Sequence, residues 1–153
     1  MRADMVRAYV ESLLEALTGA GQAMPDNDGD YPVRYRNALY YVRIHGETHP
    51  VVQVFSVAVA GVDATPELMT ALNDLNSRIS FTRAFWVRGQ VLVEADLLGE
   101  AVEPMGFDNA CRRVATITDD VAAGLAAQFG GTTAFEDGKS EGYDQEQLPG
   151  FYL

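Results

Sequence analysis

Cysteine, lysine and long apolar runs are all scarce in this chain, and each scarcity excludes something. The one cysteine, Cys111, rules out an internal disulfide and suits a reducing compartment. Its place inside a predicted helix marks it as a buried structural thiol. No stretch of about 18 apolar residues is present to span a membrane. Asp4, Glu11 and Glu15 interrupt the first twenty residues, where an export signal needs an unbroken apolar core. The expected location is therefore the cytoplasm. Basic residues number 11 against 22 acidic ones, for a net charge of −11. Nucleic-acid binding needs a clustered positive surface and is disfavoured as the main role. The only lysine is Lys139, so the remaining cations are all arginine.

Catalytic signatures are missing as well. There is no G-x-S-x-G and no glycine-rich phosphate loop. His45 and His49 flank Glu47, but across the turn HGETHP rather than on one helix face, and with one distant cysteine they do not make a zinc set. Asp26, Asp28 and Asp30 alternate as in a calcium loop. With Gly29 at the sixth position, however, the first and twelfth ligands would be Met24 and Tyr35, so a solvated turn is the better reading. Cys111 has no histidine near it in sequence. Asp119 and Asp120 are adjacent on a helix and point in different directions, which reads as solvated charge. No metal, cofactor or catalytic residue is expected.

What the sequence does contain is an architecture. The most informative stretch is Thr65–Leu97, a capped helix that runs into a tight hairpin. Thr65 as N-cap with Pro66 at the first helical position is a strong start signal, and Leu68, Leu72, Leu75 and Ile79 form the apolar stripe. Strands are predicted over about 79–88 and 90–97, joined by Gly89–Gln90 as a type II′ turn. Before them, a helix over about 3–18 places Val6, Val10, Leu13, Leu14 and Leu17 on one face. Three strands follow, about 31–36, 38–45 and 51–60, the first two paired around Asn37. The third, VVQVFSVAVA, is almost continuously apolar and should be central, buried on both faces or covered by a partner. GEAVEPMG reads as a loop, and a last helix over about 108–128 closes at Gly130–Gly131. The order α-β-β-β-α-β-β-α gives an α+β fold with a five-stranded antiparallel sheet.

This order, with LNDLN closing the central helix just before a hairpin, resembles the YbjN family, which is related in fold to the class I chaperones of type III secretion. The correspondence runs from the first helix to Phe129-Gly130-Gly131. It lies in the pattern of elements, in Leu72-Asn73 and Asn76, and in the strand VLVEADL. The resemblance implies a small non-enzymatic domain that binds peptide or protein segments and often dimerises. Some members carry the label of sensory transduction regulator. It supplies no catalytic residues.

Strand alternation divides the sheet into two faces. Val33, Tyr35, Tyr40, Val42, Ile44, Phe81, Phe85, Val87, Val91, Val93 and Leu97 should meet the helices, with Arg83 a misfit that sits at the margin or pairs with a carboxylate. The opposite face collects Arg34, Arg36, Tyr41, Arg43, His45, Thr82, Trp86 and Arg88, with Leu92, Glu94 and Asp96. Arginine forks bind carboxylates and stack on aromatic rings, so Arg34, Arg36, Tyr41, Arg43, Trp86 and Arg88 form a candidate surface for an acidic, partly aromatic peptide. The competing reading is a solvated sheet face whose cross-strand Arg–Glu pairs contribute only about 0.2–1 kcal/mol each.

Residues 1–133 are expected to form the domain and 134–153 an acidic tail that ends in PGFYL. Charge complementarity suggests that this tail lies on the arginine face or reaches a partner subunit, with Phe151, Tyr152 and Leu153 as anchors. A disordered terminus is the alternative. The favoured function is peptide or protein binding without a cofactor, with a homodimer as a candidate assembly. A regulatory or scaffold domain that assembles with a partner protein comes second, and an enzyme with an unrecognised site third.

Overall fold

A computed structural model describes residues 2–135 of the chain. Helix α1 spans Arg2–Thr18 and is followed by strands β1 (Tyr31–Tyr35), β2 (Ala38–His45) and β3 (Val51–Ala60). Helix α2 (Pro66–Asn76) leads to β4 (Arg83–Val87) and β5 (Gln90–Leu98), then to one 3-10 turn (Gly99–Ala101) and the long helix α3 (Pro104–Phe129). The expected order of elements and the antiparallel five-stranded sheet are both present, with strand order β1-β2-β3-β5-β4.

Local chemistry explains the boundaries. The Thr65 hydroxyl accepts from the Leu68 N–H at 3.1 Å, and Pro66 occupies the first turn, where its missing N–H costs nothing. Helix α3 begins four residues earlier than expected, because Pro104 is also tolerated at a first turn, with Glu103 as the preceding cap residue. β4 begins later than expected: Phe81 has φ of +61°, which no strand residue adopts. The β4–β5 turn is Arg88–Gly89 rather than Gly89–Gln90, with φ of +49° and +81°, the two left-handed residues of a type I′ turn.

All three helices pack on one face of the sheet. Val10 and Leu14 of α1, Leu68 and Leu72 of α2, and Phe107, Cys111 and Val114 of α3 join one cluster with Val33, Tyr40, Val42, Val54, Val91 and Val93. Ala110, Ala115 and Ala122 keep the buried stripe of α3 narrow, which lets this helix lie across β3 and β5. Asp119, expected to be solvated, accepts from the Asn37 N–H at 3.1 Å and ties the β1–β2 turn to α3.

The sheet edges are β1 and β4. On β1, Pro32 occupies an edge position, where a strand tolerates its missing N–H. On β4, the Asn76 amide clamps the strand: its Nδ2 donates to the Ala84 carbonyl and its Oδ1 accepts from the Ala84 N–H, both at 2.8 Å. Asn76 thus stands in for the next strand at this point. Replacing it by alanine should orphan both backbone groups and lower the unfolding free energy by about 1–3 kcal/mol, measured by urea titration. Asn76→Asp, which lacks the donor, should not restore it.

Burial pushes the Cys111 thiol well above its ordinary range, and burial likewise raises the Tyr40 hydroxyl beside it. In the unfolded chain these groups ionise near pH 8.5 and 10. The native state therefore retains protons that the unfolded chain releases. Their contribution to stability is fully present below about pH 8 and is lost above it, at up to about 1.4 kcal/mol per pH unit for each group. Urea titrations at pH 7.5 and 9.5 should show the fall. Cys111→Ala should flatten its first part, whatever its own packing cost.

Candidate functional site

Among the described residues, no helix covers the face of the sheet opposite α1, α2 and α3, called the open face below. Its rows follow from the pairing register: Arg34 lies beside Leu39 and Pro32 beside Tyr41, Tyr41 beside Phe55, Phe55 beside Glu94, and Glu94 beside Arg83. Further along, Val57 pairs with Leu92, and Leu92 with Phe85. β3 alternates between buried and half-exposed positions. The run VVQVFSVAVA is thus apolar on both faces, yet the helices cover only one.

The charged groups on this face are organised around aromatic rings. Tyr41 stacks on Phe55 with ring centroids 5.3 Å apart. The Arg43 guanidinium lies 4.8 Å from the Phe55 ring centre and donates to both oxygens of Asp30, at 2.8 and 2.6 Å. That hydrogen bonding to a carboxylate raises the pKa of Arg43 further. On the far side, Arg83 lies 4.9 Å from the Phe85 ring and pairs with Glu94 and Asp96. Glu94 is only 4% exposed and also accepts from the Gln53 amide. Bonding to Glu94 raises the pKa of Arg83 likewise. The misfit noted in the sequence is resolved as a pairing with carboxylates on the open face.

The residues singled out from sequence are not all brought together. Arg34, Tyr41 and Arg43 share the open face. Arg36 and Arg88 sit in the β1–β2 and β4–β5 turns with φ of +51° and +49°, Arg36 lying over the Tyr35 ring at 5.4 Å. Trp86 is corrected: it faces the helices, packs against the core and donates from its indole N–H to the Val62 carbonyl at 2.9 Å. The cause is a one-residue slip in β4, which places Ala84 and Trp86 inside and Arg83 and Phe85 outside. Phe81, also expected inside, is 79% exposed. Phe151, Tyr152 and Leu153 lie outside the described residues. The sequence reading missed Phe55 and Val57, which the odd-numbered parity of β3 and the pairing with Tyr41 could have placed.

Chemistry of other kinds finds little support. Asp26, Asp28 and Asp30 lie close enough to share an ion. Three of their oxygens, however, have partners: one Asp26 oxygen accepts from the Asp28 and Asp30 N–H groups, and Arg43 takes both Asp30 oxygens. The arrangement is accounted for as a turn that presents Asp30 to Arg43. A cleft of about 390 Å³ between the end of α2 and α3 contains Arg78, Arg112 and Arg113, but these bond to Asp74, Asp108 and Asn109. No described helix is long and apolar enough to cross a membrane.

With that geometry in view, the comparisons with known proteins agree on one fold. The chain superposes on the ExsC–ExsE complex structure with a TM-score of 0.59 at 14% identity, covering 76% of this chain and 92% of that one. It superposes on the Yersinia pestis type III secretion chaperone SycH, crystallised with a stable fragment of YscM2, with a TM-score of 0.50 at 17% identity, covering 75% and 98%. No curated protein matches the chain. The profile of one protein family, described as T3SS (YopN, CesT) and YbjN peptide-binding chaperone 1, matches residues 4–137. That span takes in every strand and helix described above apart from the first two residues of α1, and the chain therefore belongs to this family of non-enzymatic peptide-binding chaperones, TY-Chap1.

Proposed function

We propose that the protein binds an extended segment of a client protein across the open face of its sheet. The observation that carries this reading is β3, whose apolar residues point to both sides while helices cover only one. An apolar stripe on a two-layer domain, edged by charged residues, is the form expected of a docking surface. Tyr41, Phe55, Val57, Leu92 and Phe85 supply contact area, and Arg34 supplies a cation at the margin. The arginine-bearing surface expected from sequence is thereby kept at Arg34, Tyr41 and Arg43. Arg36 and Arg88 stand at its ends, and Trp86 passes to the core. Two solved structures of the same fold are complexes with a second protein, ExsE in one and a fragment of YscM2 in the other, which supports the same reading. A cytoplasmic site of action is part of the proposal and is supported by the free, buried Cys111.

Binding to an array of extended aromatic peptides tests it. Phe55→Ser with Val57→Ser should weaken the bound peptides about tenfold or more, the loss of about 1.4 kcal/mol or more of apolar contact. Met69→Ser, on helix α2 and so on the other side of the sheet, should not. Equal binding by all three proteins, each folded by circular dichroism, would remove this face from the proposal.

A homodimer is the second reading, favoured by a separate observation. Met69 on α2 and Phe81, ahead of β4, are exposed large apolar residues outside the stripe described above. Sedimentation at high micromolar concentration should then show a dimer that Phe81→Asp dissociates. A monomer at that concentration would end the idea.

A further inference from the structure

We propose that residues 136–153 dock on the open face of their own domain, so that the chain carries an internal occupant of its binding surface. The inference rests on the reading of that face as the client site. Four observations carry it. First, the chain is steered there: after α3, which lies on the inner layer, Thr132 pairs with Ala60 at the end of β3 through two 2.9 Å hydrogen bonds. Gly131 makes the approach feasible, with φ of +83° and no room for a Cβ against the Ala60 carbonyl. Second, Phe135 has already reached the outer side. It is 6% exposed and packs with Leu39 and Tyr41, and the Arg34 guanidinium lies 4.0 Å from its ring centre.

Third, charge matches at this corner. Glu136 and Asp137 follow Phe135 directly, and Arg34 and Arg36 take part in no ion pair among the described residues, unlike Arg43 and Arg83. Fourth, the reach suffices. Fifteen or more residues extend roughly 50 Å, whereas five strands about 4.8 Å apart span only about 20 Å. The terminal Phe151, Tyr152 and Leu153 can therefore lie on the Phe55–Val57–Leu92 stripe. A tethered segment acts at a millimolar effective concentration, so even a weak contact competes with a free client.

The test uses the full chain with benzoylphenylalanine placed at Val57. Irradiation at low micromolar concentration should cross-link this position to residues 146–153, and mixing unlabelled with nitrogen-15-labelled chains should show the link to lie within one chain. Arg34→Glu with Arg36→Glu should lower the yield. Replacing Phe151, Tyr152 and Leu153 by serine should abolish the link. It should also raise capture of the array peptides at Val57 about fivefold, as expected if the tail holds the face four-fifths of the time. A missing link, a link only between chains, or peptide capture that is measurable in both proteins yet unchanged by the tail substitutions would overturn the inference. Peptide capture absent from both proteins, alongside a link within one chain, would instead remove the client reading and leave the tail contact standing.

Discussion

The structure depends on a sheet that is apolar on two sides but, among the described residues, covered by helices on one. The helices bury Val52, Val54, Ala58 and Val59 of β3, while Val51, Phe55 and Val57 of the same strand remain half-exposed. The core of a two-layer domain needs only one apolar face per sheet. A second one adds nothing to folding and invites contact. Tyr41 and Phe55 partly resolve this by stacking on each other, and Arg43 and Arg83 by lying over aromatic rings. These contacts shield the rings without removing the surface.

The charges on that face behave differently from the protein as a whole. The net charge of −11 gives no hint of it. Asp30 and Glu94 are both nearly buried, and each is neutralised by an arginine whose guanidinium lies over a ring. Pairs of this kind fix the positions of side chains more than they add stability, since their cation ends remain in solvent. The face is held in one arrangement before anything binds. A preorganised surface loses less side-chain freedom on association.

Most of the fold was legible because the signals were local. Thr65-Pro66 marked a helix start, glycines marked helix ends, and the apolar run of β3 marked the centre of the sheet. The candidate face was read less well, for a definite reason. Its β4 half depends on the phase of a five-residue strand, and phase is lost with one residue. Phe81 and Thr82 look like strand residues by composition, but Phe81 sits in the left-handed region and ends the extended stretch before β4 begins. Arg88 is not a residue type that announces a type I′ turn, so Gly89–Gln90 was the natural choice. Trp86 and Arg83 then exchanged faces. On β1 and β2 no such irregularity intervenes, and Arg34, Tyr41 and Arg43 lie on the expected side.

Leaving an apolar sheet face uncovered carries a hazard, because sheets also grow sideways. An exposed strand border offers free N–H and C=O groups to another chain, and a sticky flat surface next to it would favour stacking into fibrils. Here both borders are blunted. Pro32 removes a donor from β1, and the Asn76 amide occupies the Ala84 backbone on β4. The molecule can therefore offer its broad side while refusing its rims, which separates reversible capture of a guest from runaway self-templating.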